Sequence, residues 1–243
     1  MIKQTILVTG AARGIGRALT LALLADHNRV IACDIDNTGL ESLWSEAKSE
    51  NLHLFVADLA TPGQSEELWN WVQSEFPAVS SLINNAGVYH GKPYREYSEK
   101  EIQEAIILNL TTPMYLSEKF AQHILASKNQ GSIVNVASVA GEVGSSDAIY
   151  GATKAAVIGM TKSHAMNYGP NIRVNAVSPA AVRETDIFER IPKYRLDEYL
   201  RQEYLETPIT PNSVADVIRF LIDDASRNLT GKIIPIDNGC YPR

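Results

Sequence analysis

The sequence contains little of what a metal site or a secreted protein needs. Its 243 residues include only two cysteines, Cys33 and Cys240, which are too few for a thiolate metal cluster. The first residues run directly into a strand-like segment, without the long apolar stretch and cleavage site of a signal peptide. We therefore expect a cytoplasmic protein without a metal site, in which both cysteines are buried thiols and do not form a disulfide.

An excess of positive charge is also missing. The chain has 22 basic and 28 acidic residues, and its formal net charge of −6 is spread along the sequence. A protein without a basic face is not expected to bind nucleic acid or an anionic membrane. Both classes of partner are therefore set aside.

Internal repeats, linkers and low-complexity stretches are absent as well, and an apolar fraction of 45% is enough for a sizeable core. Residues 1–243 are therefore expected to form one domain. Short apolar runs alternate with longer segments of helical periodicity, which is typical of parallel strands joined by crossover helices. Strands are predicted at 4–9, 29–34, 52–57, 80–84, 131–137, 172–177 and 232–236. Helices are predicted at 14–25, 38–50, 64–76, 99–126, 148–168 and 212–223.

This alternation predicts an α/β fold with a doubly wound, Rossmann-like parallel sheet of about seven strands. Runs such as 133–136 are almost continuously apolar, as expected where helices cover both faces of a sheet. Such sheets bind ligands at the carboxyl ends of their strands. The one long irregular region, 180–211, has the length of a substrate lid, although a plain surface excursion would look the same.

A glycine-rich loop connects the first predicted strand to the first helix. Gly10, Gly14 and Gly16 have the spacing G-x-x-x-G-x-G and enclose Arg13 and Ile15. A pyrophosphate site needs a tight turn, an open backbone and the free N–H groups of a helix N-terminus. The position of this loop favours a dinucleotide site over an ordinary turn.

Two carboxylates follow the next two strands. Asp34 ends the second strand 18 residues beyond Gly16, close to the distance of about 20 residues at which a carboxylate binds the adenosine ribose. Asp58 and Leu59 close the third strand and would lie near the adenine. Capping of the turn that leads to Thr61 explains Asp58 nearly as well.

Tyr150 and Lys154 are four residues apart in a predicted helix and therefore share one face. A phenol with a pKa of about 10 is a poor base, but a nearby ammonium group favours the phenolate and lowers that pKa. The pair fits general acid/base chemistry. On its own, such spacing is more often a solvated helix face.

Three further motifs stand at the ends of predicted elements. Ser138 follows the fifth strand, Asn109 lies in a long helix, and residues 84–87 (Asn-Asn-Ala-Gly) follow the fourth strand. With the glycine loop and the Tyr/Lys pair, they resemble the short-chain dehydrogenase/reductase family in its compact single-domain form. The resemblance runs from Thr9 to Gly239 and so covers practically the whole chain.

The resemblance implies an NAD(P)-dependent oxidoreductase. Tyr150 is its general acid/base, and Lys154 lowers the pKa of Tyr150 and holds the nicotinamide ribose. Ser138 binds the reacting oxygen, and Asn109 anchors a water relay. Asn84 and the following residues stabilise the sheet, and further cofactor contacts come from Asn85, Ala86, Gly87, Pro179, Val182 and Thr185.

The chain departs from the family pattern in three places. Eleven residues separate Ser138 from Tyr150, one fewer than usual, so the loop 139–149 is expected to be reshaped. Ala180 stands where a glycine usually follows the proline. Thr185 is displaced by one residue from the usual carboxamide contact.

We expect an NAD-dependent enzyme that acts on a small or medium secondary alcohol or ketone. An NADPH-dependent ketoreductase is the first alternative, with Arg13 on the 2′-phosphate, but the charge of Asp34 opposes it. A non-catalytic dinucleotide-binding regulator is a second alternative, which the fold cannot exclude. A sugar-nucleotide epimerase is a weaker one.

The substrate is less accessible to sequence analysis. Residues 183–206 mix five basic residues, among them Arg195, with seven acidic ones, so no net charge selects an anionic substrate. The aromatic residues after the fourth strand line a pocket or pack against the core: Tyr89, His90, Tyr94 and Tyr97.

The family resemblance also implies a homo-oligomer, a tetramer or dimer, built partly on the long helices near 99–126 and 148–168. Apolar residues in these helices, Ile106, Leu116 and Met160, are the candidates for the interface.

Overall fold

The computed structural model describes residues 2–240, and it confirms the predicted fold class. Seven strands form one sheet in the order β3-β2-β1-β4-β5-β6-β7, and all neighbouring strands are parallel. The strands are β1 (Thr5–Thr9), β2 (Arg29–Asp34), β3 (Leu52–Val56), β4 (Val79–Asn84), β5 (Gly131–Val136), β6 (Ile172–Pro179) and β7 (Ile233–Ile236).

Helices cover both faces of this sheet, as continuously apolar strands require. They are α1 (Gly14–Ala25), α2 (Asn37–Ala47), α3 (Gln64–Glu75), α4 (Glu99–Ile106), α5 (Thr112–Ser127), α6 (Ala140–Val143), α7 (Ala148–Tyr168), α8 (Asp186–Arg190), α9 (Lys193–Gln202) and α10 (Pro211–Ile222). Strand β1 is buried throughout. Its Ile6 and Val8 join a core with Leu19 of α1, while Leu7 joins a second core with Leu68 of α3.

The strand order reverses at β1. Strands β2 and β3 lie on one side of it and β4 to β7 on the other, so the crossover connections leave the two central strands in opposite directions. A crevice forms at such a switch point beyond the carboxyl ends of the strands. The glycine loop after β1 and residues 85–87 after β4 both border this crevice.

The predicted irregular region 180–211 is partly helical, which corrects that prediction. Thr185 caps α8, because its hydroxyl accepts a hydrogen bond of 3.2 Å from the Phe188 N–H. Pro192 then separates α8 from α9. These helices have five and ten residues, and the intervening proline breaks the periodicity that would have revealed them.

The prediction of a single helix at 99–126 is wrong in detail. Helix α4 begins with a capping box at Ser98, and the π-helical segment Ile107–Thr111 joins it to α5. A π-helical turn changes the direction in which side chains point, and such turns are frequent at functional sites. Asn109 is the buried residue of this segment. A π-helical turn is stabilised by tertiary contacts, so the spacing of hydrophobic residues in the sequence does not predict it.

Two of the three residues proposed for an oligomer interface are unsuitable. Leu116 is 0% and Met160 is 7% exposed, because both pack in the core of their own chain. Ile106 remains accessible. Met114 of α5 and Met166 of α7 are exposed apolar residues on the same pair of helices.

No helix within residues 2–240 is long and apolar enough to cross a membrane. Over the same residues, no group of three or more His, Cys, Asp and Glu side chains is arranged to hold a metal ion. Cys33 and Cys240 are both buried free thiols. Burial raises the pKa of the Cys240 thiol to about 12.

Candidate active site

The glycine loop adopts a backbone conformation that requires small residues. Gly10 has a φ of +67° and Gly14 a φ of +51°, both in the left-handed region. A Cβ on Gly16 would lie 2.0 Å from the carbonyl oxygen of Gly10. The loop therefore bends sharply and ends at the N-terminus of α1, whose free N–H groups suit a phosphate.

Residues after β4 hold this loop in place. The Asn85 amide donates hydrogen bonds of 2.9 Å to the carbonyl oxygens of Thr9 and Gly10. The Thr9 hydroxyl accepts bonds of 3.1 Å from the backbone N–H groups of Asn85 and Ala86. The Asn84 amide donates to Ser117 and Asn135 inside the sheet. Asn85 thus joins β4 to the end of β1 and its loop, and Asn84 joins β4 to β5 and α5.

A cavity of about 340 Å³ extends along the crevice. This volume lies in the range of pockets that hold cofactors. Its walls contain eleven of the predicted cofactor-binding residues: Gly10, Arg13, Gly14, Ile15, Asp34, Asp58, Leu59, Asn85, Ala86, Gly87 and Thr185. An elongated cavity, a glycine cradle and a carboxylate at the end of β2 fit a dinucleotide.

The Asp34 carboxylate is fixed by the backbone. One oxygen accepts a hydrogen bond of 2.9 Å from the Ala12 N–H, and the other accepts one of 3.0 Å from the Asp36 N–H. Each oxygen keeps a lone pair for a hydroxyl group. Arg13 forms ion pairs of 2.7 Å with Asp36 and 2.6 Å with Asp186. Its guanidinium is therefore already held by two carboxylates.

Asp58 stabilises the turn after β3. Its carboxylate accepts bonds from the Ala60 N–H at 3.0 Å and the Thr61 hydroxyl at 2.8 Å. The carbonyl oxygen of Leu59 accepts a bond of 2.8 Å from Thr112. Asp58 thus lies in the cavity wall and also has the turn-stabilising role that the sequence left open.

Tyr150 and Lys154 lie on the first turns of α7 and are 7% and 5% exposed. Helix α7 begins there because the Asp147 carboxylate accepts a bond of 3.0 Å from the Tyr150 N–H. The Lys154 ammonium donates a 2.7 Å bond to the Val136 carbonyl and lies 5.6 Å from the centre of the Tyr150 ring. The pair is therefore buried and does not form a solvated helix face.

Burial is the main cause of the pKa shifts of Tyr150 and Lys154. It raises the pKa of the Tyr150 phenol to about 12, although the Ser138 hydroxyl acts in the opposite direction. Burial also lowers the pKa of the Lys154 ammonium to about 8. Within the protein alone, burial thus outweighs the lowering of the Tyr150 pKa that the Tyr/Lys spacing predicts. More positive charge beside the phenol is needed to make it a base.

Asn109 links the site to its surroundings. Its amide group donates to the Val88 carbonyl at 3.0 Å and to the Thr153 hydroxyl at 3.1 Å, and its oxygen accepts from the Val88 N–H at 2.8 Å. A Cβ on Gly87 would lie 3.1 Å from that oxygen and 3.6 Å from the Lys154 Nζ. Asn109, Gly87 and Lys154 are therefore close neighbours.

The segment after β6 closes the other side of the crevice. Pro179 ends the strand, and Ala180 has no positive φ, so its Cβ adds no backbone strain there. Glu184 has a φ of +61°, and the next residue, Thr185, lies in the wall of the first cavity. The Thr185 hydroxyl also donates a 2.7 Å bond to the Val182 carbonyl.

A second cavity of about 100 Å³ adjoins the first. Ser138 and Tyr150 lie in its wall together with Val182, and Tyr89, Thr185 and Ile187 border both cavities. Of the two cavities, Tyr150 lines the second, and its ring lies 4.9 Å from that of Tyr89 at the junction of the two. A proton carrier at this junction can serve a reaction between a bound cofactor and a small substrate.

Four residues of this site were not predicted from the sequence. Asp147 is fully buried and positions α7, and its place just before the helix is an N-cap signal that sequence can reveal. Arg190 donates a 3.2 Å bond to the Tyr89 carbonyl. Arg195 and Tyr199 reach the second cavity from α9, whose position no local pattern predicts.

The aromatic residues after β4 have different surroundings. The rings of Tyr89 and Tyr150 are nearly perpendicular, with centroids 4.9 Å apart. The Tyr97 hydroxyl binds the Asp147 carboxylate, and His90 lies 3.5 Å from Glu104. Tyr94 is 61% exposed and lines neither cavity.

Comparison with known proteins gives a consistent result. The model of the short chain dehydrogenase family matches residues 4–195. A 3-oxoacyl-[acyl-carrier-protein] reductase of Thermotoga maritima is 36% identical over 240 residues, which are 97% of both chains. A (3R)-3-hydroxyacyl-CoA dehydrogenase of Canis lupus familiaris is 31% identical over 247 residues, covering 97% of this chain and 95% of its own.

A solved structure is similar over the full length. The structure of 4-hydroxyisoleucine dehydrogenase complexed with NADH superimposes with a TM-score of 0.91 at 32% identity. The match covers 99% of this chain and 100% of that one.

Proposed function

Because the chain belongs to the short-chain dehydrogenase/reductase family, we propose that it transfers a hydride between NAD(H) and a secondary alcohol or ketone. The observation that carries the proposal is the position of Tyr150. Its buried phenol lies in the wall of the second cavity, with Ser138 and Lys154 beside it, and its ring is 4.9 Å from that of Tyr89, which borders both cavities. This arrangement suits the transfer of a proton to or from an oxygen whose carbon exchanges a hydride.

When bound, the nicotinamide dinucleotide accepts or donates the hydride. The residues that would hold it are those of the first cavity, with the pyrophosphate on the glycine loop and the adenosine ribose on Asp34. Lys154 and Thr185 would contact the nicotinamide end. The NADH complex of the similar dehydrogenase supports a nicotinamide dinucleotide as the cofactor.

In the oxidative direction, Tyr150 takes the alcohol proton and Ser138 holds the alcohol oxygen. The positive charge of Lys154 favours the phenolate, and so does the charge of an oxidised nicotinamide. Together they oppose the burial that raises the pKa of Tyr150 to about 12. In the reductive direction, the same phenol donates its proton to the carbonyl oxygen.

We infer a preference for NAD(H) over NADP(H) from the charges around the adenosine end. Asp34 and Asp36 place two carboxylates there, and a 2′-phosphate would be repelled by both. Arg13, the candidate partner of a phosphate, is engaged by Asp36 and Asp186. A phosphate would have to displace these ion pairs before Arg13 could bind it.

We also propose a cytoplasmic homo-oligomer, a tetramer or dimer. The exposed apolar residues Met114 and Met166 on α5 and α7 support an interface on these helices.

The direct test is turnover. The purified protein is incubated with NAD⁺ or NADP⁺ and a panel of secondary alcohols, and with NADH or NADPH and the matching ketones, while cofactor absorbance is followed. We expect turnover with NAD(H). A protein that binds NADH but turns over no member of the panel would instead be the non-catalytic regulator.

A further inference from the structure

The second cavity has apolar walls with one cationic side chain among them. Val139, Ala140, Val182, Ile187 and Ile191 are among its apolar lining residues, and Ser138 and Tyr150 supply the polar groups of the reaction. Of the described residues that line it, Arg195 alone carries a charge. A lone charge in the wall of a small apolar pocket favours a ligand of the opposite charge.

The guanidinium of Arg195 is only partly engaged. Its Nη1 donates a 2.6 Å bond to Glu198, one turn further along α9. Its Nε is buried and has no hydrogen-bond partner within residues 2–240. A buried N–H donor without an acceptor is unfavourable, and a ligand oxygen would remove that penalty.

From this geometry we propose that Arg195 forms a carboxylate subsite, and that the substrate is a short hydroxy acid or the corresponding oxo acid. The inference rests on the proposed function and specifies its substrate. A guanidinium presents its donors in a planar fork that matches a carboxylate. Glu198 occupies the fork at Nη1 and orients it, which leaves the Nε donor for the substrate.

The redox step balances without another reactant. The carbinol carbon loses a hydride to NAD⁺ and its hydroxyl loses a proton to Tyr150, giving the oxo acid, NADH and one proton released to solvent. The carboxylate takes no part in the chemistry. It holds the carbinol carbon between Tyr150 and the cofactor.

Among the acidic residues of 183–206, Glu198 offsets part of this charge through its ion pair with Arg195. Asp186 is paired with Arg13, and Glu198 contacts Arg195 itself. None of the acidic residues of the region lines the second cavity. The balance of basic and acidic residues in 183–206 predicted no selection for an anionic substrate. That balance does not hold among the residues that line the second cavity. Its volume of about 100 Å³ also favours a short acid over a long acyl chain.

The first experiment compares substrates that differ only in the carboxylate. The NAD⁺-dependent oxidation of 3-hydroxybutanoate and 4-hydroxypentanoate is measured beside that of their methyl esters and of 2-butanol and 2-pentanol. We expect kcat/KM for the best acid to exceed that of its ester by roughly 10- to 100-fold, as charge-assisted hydrogen bonds allow. Neutral compounds oxidised as well as the acids would overturn the subsite and leave the proposed function intact.

The second experiment changes Arg195 in two ways. Arg195→Gln should lose the preference for acids, and Arg195→Lys should recover part of it, because lysine restores the charge without the fork. Arg201→Gln is the matched control, since Arg201 is exposed on the same helix and its Nε binds the Asp197 carbonyl. An acid preference that is equal in Arg195→Gln and Arg201→Gln would refute the role of Arg195.

A binding measurement tests the subsite independently of turnover. Butanoate and butanamide are titrated into the protein saturated with NADH, by calorimetry. We expect butanoate to bind more tightly than butanamide, and Arg195→Gln to remove the difference. Equal affinity of the two ligands for the unmodified protein would refute the subsite even if no alcohol in the panel were oxidised.

Discussion

The hydroxyl group of Tyr97 donates a 2.6 Å hydrogen bond to the fully buried carboxylate of Asp147. The same carboxylate accepts bonds from the backbone N–H groups of Gly91 and Tyr150, each at 3.0 Å. One side chain thus ties the loop after β4 to the start of helix α7. The position of the Tyr150 phenol depends on this connection.

Tyr97→Phe removes one of the three donors and leaves a buried carboxylate less well satisfied. We expect the free energy of unfolding to fall by about 1–3 kcal/mol, measured by urea denaturation. Tyr94→Phe is the control, because Tyr94 is exposed in the same loop. Equal stability of the two variants would show that the Tyr97 bond contributes nothing.

Tyr150→Phe keeps the ring and removes the transferable proton. We expect turnover to fall by roughly 10²- to 10⁴-fold, with NADH affinity nearly unchanged in a fluorescence titration. Lys154→Met should weaken both turnover and NADH binding, because Lys154 lies beside the phenol and would hold the nicotinamide ribose. A Tyr150→Phe enzyme with a near-normal rate would exclude this phenol as the acid/base.

Asp34→Ala tests the origin of cofactor preference. Wild type should prefer NAD⁺ over NADP⁺ in kcat/KM by more than about tenfold, since charge-assisted bonds contribute roughly 1.5–3 kcal/mol. The variant should shift toward NADP⁺. Glu50→Ala, which removes an exposed carboxylate outside the cavity, controls for net charge. An unchanged cofactor preference in Asp34→Ala would show that Asp34 only orders the loop.

The lowered pKa of Lys154 predicts a pH dependence of stability. Folding lowers this pKa from 10.5 to about 8, because burial disfavours the ammonium. Between these values the unfolded chain binds the proton and the folded chain does not, so the contribution of Lys154 to stability rises with pH. It is lowest below pH 8 and complete above pH 10.5.

Between these pH values the contribution of Lys154 to the free energy of unfolding changes by about 3 kcal/mol, because one unit of pKa shift corresponds to about 1.36 kcal/mol. It is measured as the difference in unfolding free energy between wild type and Lys154→Met, without cofactor, at pH 7 to 10. The raised pKa of Tyr150 acts in the opposite direction above pH 10, but it is common to both proteins. A difference that is constant over this range would contradict a buried ammonium.

Met166→Lys tests the proposed oligomer. Met166 is 84% exposed on α7, so a lysine there should leave the monomer folded while charging an apolar contact surface. Light scattering should give a dimer or tetramer for wild type and a smaller species for the variant. A wild-type mass of 26.7 kDa at micromolar concentration would contradict assembly.

The sequence predicts the sheet because its strands are apolar and evenly separated by helical segments. It also predicts which residues border the first cavity, since strand ends meet at one edge of a parallel sheet. The wall of the second cavity is different. Arg195 and Tyr199 lie on α9, which buries no residue, so no core-facing pattern in the sequence marks it. The π turn at Asn109 depends on tertiary contacts.

Tyr89, Thr185 and Ile187 form a common wall between the two cavities. A ligand in either cavity therefore contacts side chains that also border the other cavity. Any coupling of the two binding equilibria through this wall is reciprocal by thermodynamic linkage: whatever the dinucleotide does to the affinity for substrate, the substrate does to the affinity for dinucleotide.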